Sequence, residues 1–264
     1  EWQMIRTILG VSAFLLAFSS QTSLADDHMF TGGMDPAAPF NVQVNVCSLN
    51  EGKSLAQYDR MIEKYFAWAK ANGVETTFVR HTPLFSHANG NNPLSFDFLD
   101  LLGSDYETSG KAWDLWLGSP EGQKLNAQWQ ELGSCNVKMA TVAMQWGDVS
   151  ALNEDDDRIV TWNWCTRKDG VSTEQVMAKH QAIAKEYSDG IGNIGWFTFV
   201  PLIGGANSSG DFAHIVVYPD AQGLMQHQKW FSEGGWKMRQ DYYTYVDCNG
   251  DSAMTETVMH RPAD

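Results

Sequence analysis

Hydrophobic and polar positions change period several times along this chain, and each change marks an element. From Asn41 to Cys47, valine alternates with polar residues, which predicts a strand. From Leu55 to Asn72 the apolar residues fall at Leu55, Tyr58, Met61 and Ile62, Tyr65 and Phe66, and Ala69, the spacing of a helix. Glu75 to His81 returns to strand, Ser86 to Pro93 is a Gly/Asn/Pro loop, and Phe96 to Leu102 is strand again. Ala112 to Leu132 is helical except at Gly118-Ser119-Pro120, so it predicts two short helices. Val137 to Trp146 is a closing strand. The order then repeats, with strands at Ile159, Ile194, Phe212 and Ala253 and helices at Thr173 and Leu224. This is βαββαβ twice, the order of a ferredoxin-like unit.

The repetition is visible in the residues themselves. VNVCSLNEGKSLAQ from Val44 aligns with WNWCTRKDGVSTEQ from Trp162. Asn45, Cys47, Gly52 and Ser54 fall on Asn163, Cys165, Gly170 and Ser172, and Pro83-Leu84 on Pro201-Leu202, all at an offset of 118. Ala88-Asn89 falls on Ala206-Asn207, and small gaps bring Phe96 to Phe212 and Cys135-Asn136 to Cys248-Asn249. A period this long makes each unit a domain, not a solenoid repeat. The expected organisation is a signal peptide at 1–25, a linker at 26–40, a first repeat at 41–147, an acidic linker at 148–158 and a second repeat with a short tail at 159–264.

The amino-terminal segment has the three parts of an export signal: Arg6, the apolar run Ile8 to Phe18, and the small-x-small site Ser23-Leu24-Ala25. Met4 reads as the natural start. The apolar run is too short to span a bilayer, which needs about 20 residues. The expected location is periplasmic or secreted, with no membrane span after cleavage. With 18 Lys+Arg against 32 Asp+Glu the net charge is −14, which argues against nucleic acid and anionic membranes as partners.

Two ferredoxin-like units in one chain resemble the dimeric α+β barrel superfamily, which includes antibiotic-biosynthesis and haem-degrading monooxygenases and chlorite dismutases. The segment Cys47 to Ser54 is also similar to the first strand-to-helix turn of small exported proteobacterial proteins of this type, which are uncharacterised. The resemblance covers roughly residues 40–260. It implies an α+β fold in which two antiparallel sheets close into an intramolecular barrel with helices outside. A ligand then sits between sheet and helices or inside the barrel, and the single chain acts as a pseudo-dimeric monomer. The motifs call for no cofactor; the resemblance leaves haem open.

Four cysteines form two equivalent pairs and allow three pairings. In a ferredoxin-like sheet the first and last strands are antiparallel neighbours, so the fold selects Cys47–Cys135 and Cys165–Cys248. No C-x-x-C or H-E-x-x-H spacing supports a metal site.

Strand alternation sorts the remaining candidates. Val42, Val44 and Val46 share one face, assigned to the helices. The opposite face then carries Asn45, Asn163, Phe98, Asp100, His214 and Tyr218, which are expected to line one cavity, with Arg80 and His81 beside it. His214, Asp100, Arg80 and His81 are the catalytic candidates, since an imidazole with a carboxylate suits acid–base work. Asn45, Asn163, Phe98 and Tyr218 are the ligand-binding candidates. In the monooxygenase relatives an Asn on the first strand helps position substrate, and Asn45 or Asn163 stands on that strand. The competing reading is that these asparagines only satisfy polar groups of the sheet. No catalytic signature is complete. The leading expectation is a protein that binds a small hydrophobic or aromatic ligand. The alternatives are a cofactor-independent or haem-related monooxygenase- or lyase-like enzyme using His214, and an envelope interaction protein without a small-molecule site.

Overall fold

The computed structural model describes residues 30, 34–74, 76–85, 95–187 and 191–262. The expected signal peptide and the Ser86 to Pro93 loop lie outside them. The first half runs β1 (Phe40–Leu49), α1 (Leu55–Ala71), β2 (Thr77–Pro83), β3 (Phe98–Ser104), α2 (Tyr106–Gly118), α3 (Pro120–Leu132) and β4 (Gly133–Gly147). A short helix, α4 (Val149–Glu154), occupies the acidic stretch and is anchored by the fully buried Leu152. The second half runs β5 (Asp157–Arg167), α5 (Thr173–Tyr187), β6 (Gly195–Ile203), β7 (Phe212–Tyr218), α6 (Ala221–Trp230), α7 (Trp236–Tyr242), β8 (Val246–Cys248) and β9 (Ser252–His260).

Local chemistry explains the repeated boundaries. Gly52 and Gly170 turn the chain before α1 and α5 at φ 74° and 81°, where a side chain would be strained. Ser54 then closes a capping box with Gln57, and Ser172 makes the same exchange with Gln175. Ser119 ends α2 and caps α3, whose first residue is Pro120.

Within the first half the strands lie in the order β4-β1-β3-β2, and within the second β9-β5-β7-β6, with β8 continuing beside β5. The halves join at β4–β6 and at β2–β9, all antiparallel. Eight strands therefore close on themselves as one barrel, with the helices outside. Cys47 lies directly opposite Cys135, and Cys165 opposite Cys248, and both pairs are disulfide-bonded.

The register corrects two expectations. Asp100 faces Asn45 across β1–β3, and His214 faces Asn163 across β5–β7, so Asp100 and His214 are equivalents. The equivalent of Phe212 is then Phe98, not Phe96. A slip of two residues keeps every side chain on its face, so the hydrophobic pattern cannot detect it. The two faces are also exchanged. Val42, Val44, Leu99, Leu101, Val160, Trp162, Ile215 and Val217 meet from both halves inside the barrel. Asn45, Asp100, Asn163 and His214 point outward, beneath the helices. Both faces of each strand are buried, one by the barrel and one by helices, so alternation alone could not orient them.

Candidate functional site

The sequence-predicted residues do not share one cavity. In the first half, Arg80 from β2 forms a two-pronged ion pair with Asp100 from β3, at 2.7 and 3.1 Å. It also binds Asp59 of α1. Asp100 is fully buried, and the guanidinium lies 4.7 Å from the centre of the Phe98 ring. Trp129 of α3 donates to the Tyr58 hydroxyl at 2.7 Å. Asn45 accepts from Gln43 at 2.9 Å, and Gln43 accepts from Trp113 at the same distance. A space of ≈ 60 Å³ lies between this sheet and its helices among the described residues. These groups are mutually satisfied, which suits a structural role for Arg80, Asp100, Asn45 and Phe98.

His81 faces the other way, into the barrel. Trp162 donates to its Nδ1 at 3.0 Å, so Nε2 donates to Glu256 at 2.7 Å. Arg158 pairs with the other Glu256 oxygen at 2.6 Å. Burial alone would raise the Glu256 pKa, but the Arg158 charge and the His81 bond outweigh it and hold the carboxyl at about 2. His81 therefore joins β2, β5 and β9 across the seam between the halves.

The second half puts different groups in the equivalent places. Trp196 donates to His214 Nδ1 at 2.9 Å. Burial, with the nearby His180, pushes the His214 pKa well below its ordinary value, so the ring is neutral. Its proton is then on Nε2 and is donated to the Tyr242 hydroxyl at 2.8 Å. That hydroxyl donates in turn to His180 Nε2 at 2.7 Å. Burial lowers His180 to about 4 and raises Tyr242. His214 thus has both ring nitrogens engaged.

Two spaces border this cluster. A chamber of ≈ 130 Å³ lies between sheet and helices, against Asn163, Trp196, His214 and Tyr242. A cleft of ≈ 1130 Å³ among the described residues opens at the barrel mouth, against Trp162, Trp164, Phe199 and Trp236. Six residues line both: Thr161, Tyr218, His227, Phe231, Arg239 and Asp251. They form the wall between chamber and cleft.

The wall is built by a break in two elements. Between α6 and α7, residues Phe231–Gly235 form a kink, at which Gly234 leaves helical geometry with φ 135°. It brings His227, Phe231 and Arg239 to one place. Residues Asn249–Asp251 interrupt the last strand, where the first half has the continuous β4, and supply Asp251. Tyr218 and His227 Nδ1 are 2.6 Å apart, and the His227 ring stacks on Phe231 at 4.8 Å. Burial lowers His227 to about 4, opposed by Asp251 and assisted by Arg239, so it too is neutral. Arg239 donates to Asp251 at 3.1 Å and lies 4.0 Å over Phe231. Asn163 donates to the other Asp251 oxygen at 2.9 Å and accepts from the Gly250 backbone at 3.1 Å.

Of the predicted residues, Tyr218 is in the wall, Asn163 positions it, and His214 stands behind it. Sequence reasoning missed His227, Arg239 and Asp251. The signal available was the Phe231 to Gly235 segment, whose paired glycines interrupt a helical pattern. Among the described residues no group of three or more His, Cys, Asp or Glu side chains is arranged to hold a metal ion. Among the same residues no helix is long and apolar enough to cross a membrane.

No family model matches the chain, and no curated protein matches it. Solved structures do. An anthrone oxidase-like protein superposes with TM-score 0.50 at 12% identity, over 84% of this chain and 93% of its own. A chlorite dismutase variant from Candidatus Nitrospira defluvii gives 0.47 at 5% identity, over 82% and 90%. The encapsulated DyP-type peroxidase from Mycobacterium smegmatis gives 0.41 at 9% identity, over 85% and 96%. Such identities speak for architecture alone. With two ferredoxin-like units closing one antiparallel barrel, the chain has the fold of the dimeric α+β barrel superfamily, completed within a single polypeptide.

Proposed function

We propose that this protein binds a small aromatic molecule in the cleft at the barrel mouth, outside the cytoplasm. One observation carries the reading: the cleft is walled by Trp162, Trp164, Phe199, Phe231 and Trp236, with Tyr218, His227 and Arg239 placed among them. Small-molecule sites are mostly apolar, with a few convergent polar groups, and range over about 300–1,000 Å³. The first half contributes Val44, Val46, Phe96 and Lys138 to the same cleft. Two disulfides support an oxidising compartment. Closure of the barrel within one chain supports a monomer.

Haem is a cofactor of some proteins with this fold, but the space between sheet and helices does not fit it. Both His214 nitrogens are engaged, His180 Nε2 is bound to Tyr242, and the chamber is ≈ 130 Å³. His214 has no nitrogen to spare for an iron, and a macrocycle is larger than the chamber.

Intact mass tests the reading directly. Protein exported by a bacterial host should carry an added mass under native conditions that leaves on denaturation. The denatured mass should show cleavage after Ala25. Titration with a naphthalene fluorophore should quench tryptophan emission, and Trp164→Ala should weaken that binding. A bare native mass together with no quenching would end the proposal.

A second reading, an enzyme of the proton-transfer type, rests on the neutral His227 beside Tyr218. In the tautomer whose Nδ1–H donates to the Tyr218 oxygen, the neutral imidazole keeps its lone pair on Nε2 and can accept a proton there. His227→Gln should then remove turnover of an identified substrate and leave its binding in place.

A further inference from the structure

We propose that the ligand of the cleft is an aromatic anion, a carboxylate or phenolate, and that Arg239 recognises its charge. This rests on the reading of the cleft as a ligand site and names the chemical class that site prefers.

The first argument is charge. The chain carries a formal −14, yet the charged residues lining the cleft are Lys138, Arg239 and Asp251, an excess of one positive charge. Low-dielectric walls focus such a field on whatever enters. The cleft is therefore a local exception to an acidic protein, and it disfavours cations.

The second argument is how Arg239 is held. Its planar fork carries five N–H groups, and the bond to Asp251 uses one nitrogen, Nη2. Phe231 supports the plane from 4.0 Å. Asp251 is itself fixed by Asn163 through its other oxygen, so guanidinium, carboxylate and amide form one oriented series from the wall into β5. An arginine oriented beforehand loses less freedom on binding, and a planar carboxylate matches its fork. The Arg239 and Asp251 side chains are 37% and 41% exposed, so the fork is reachable. A buried pair such as Arg80–Asp100, at 6% and 0%, is not.

The third argument is the neighbour. Neutral His227 and the Tyr218 hydroxyl lie in the same wall, and neither adds a negative charge that would repel an anion. Together these groups offer one cationic fork and one neutral hydrogen-bonding pair, against aromatic walls.

Paired ligands test the proposal on the full mature chain. Naphthoate and its uncharged amide have the same rings and differ in charge. Calorimetry and tryptophan quenching should show naphthoate binding roughly tenfold or more tighter than the amide in the wild type. That preference should shrink as salt rises. Arg239→Met should bring the two affinities together by weakening the acid far more than the amide. Arg239→Lys, which keeps the charge and loses the fork, should retain part of the preference. Asn163→Ala, acting through Asp251, should reduce the preference.

Equal affinities in the wild type would overturn the anion proposal while leaving the aromatic site intact. So would a preference that survives Arg239→Met. Binding of neither ligand would overturn the cleft reading and this proposal with it. Should Arg239→Met fail to fold, the acid–amide comparison in the wild type decides alone.

Discussion

The two halves of this barrel place contrasting chemistry at matching points of the same scaffold. Where the first half has Asp100 the second has His214, and where β2 carries Arg80, β6 carries Thr198. In the first half the result is a charged, fully paired cluster beside a space of ≈ 60 Å³. In the second it is a neutral Trp196–His214–Tyr242–His180 series bordered by a chamber and a cleft. The contrast shows how duplication divides labour. A buried ion pair ties one copy down, and the other copy, freed of that pair, gains room and reachable polar groups.

The largest expected effects test the part of the molecule where the halves are alike. The two disulfides close loops of similar length, with sequence separations of 88 and 83. Loop entropy gives each about 4–5 kcal/mol. Cys47→Ala/Cys135→Ala and Cys165→Ala/Cys248→Ala should therefore lower the urea midpoint by similar amounts. A large inequality would show that the halves differ in more than their outer faces.

Asp100→Ala comes next. It strips the buried Arg80 of its two-pronged partner, a change that typically costs about 3–5 kcal/mol. Denaturant unfolding should show the loss, and aromatic-ligand affinity should be unchanged. Altered affinity would mean that the Arg80–Asp100 cluster under the helices is coupled to the cleft.

Acid should act on the second half first. His180 and His227 have folded pKa values of about 4, below the ordinary value of 6.5. The unfolded chain binds the extra protons, so stability is complete above about pH 6.5 and is lost as pH falls toward 4. Each imidazole contributes up to about 3 kcal/mol over that window. Hydrogen exchange at pH 5 should show α5 to α7 opening before α1 to α3. The reverse order would overturn the contrast between a tied first half and a looser second. Glu256, held at about 2, loses its contribution only below about pH 4.5 and so acts later.

The smallest effect belongs to the neutral series. Tyr242→Phe leaves His214 and His180 without their shared hydroxyl, worth about 1–3 kcal/mol. A loss as large as that of Asp100→Ala would mean the series carries charge.

Much of the architecture was legible in the sequence. Matched Cys, Gly and Pro positions revealed the duplication, and strand neighbourhood then selected both disulfides. The orientation of the sheet was not legible. Val44 and Asn45 are both buried, one in the barrel and one under helices, and a pattern of alternation is the same either way round. The site was legible only in part. Tyr218 and Asn163 stand on strands whose faces could be sorted. His227 and Arg239 depend on a kink at Gly234, and Asp251 on an interrupted strand. Those irregularities set directions in space that no regular period encodes.

The path of the last described strand has a consequence for the order of events during synthesis. β9 lies between β2 and β5, so it completes both halves at once. Until its residues emerge, β2 has no second neighbour and the ring stays open. Exposed strand edges invite pairing with other chains. Pairings this distant in sequence also form slowly. A chain arrested before Ser252 should therefore be prone to associate with its own kind, and closure should be a late, concerted step that waits for β9 to emerge.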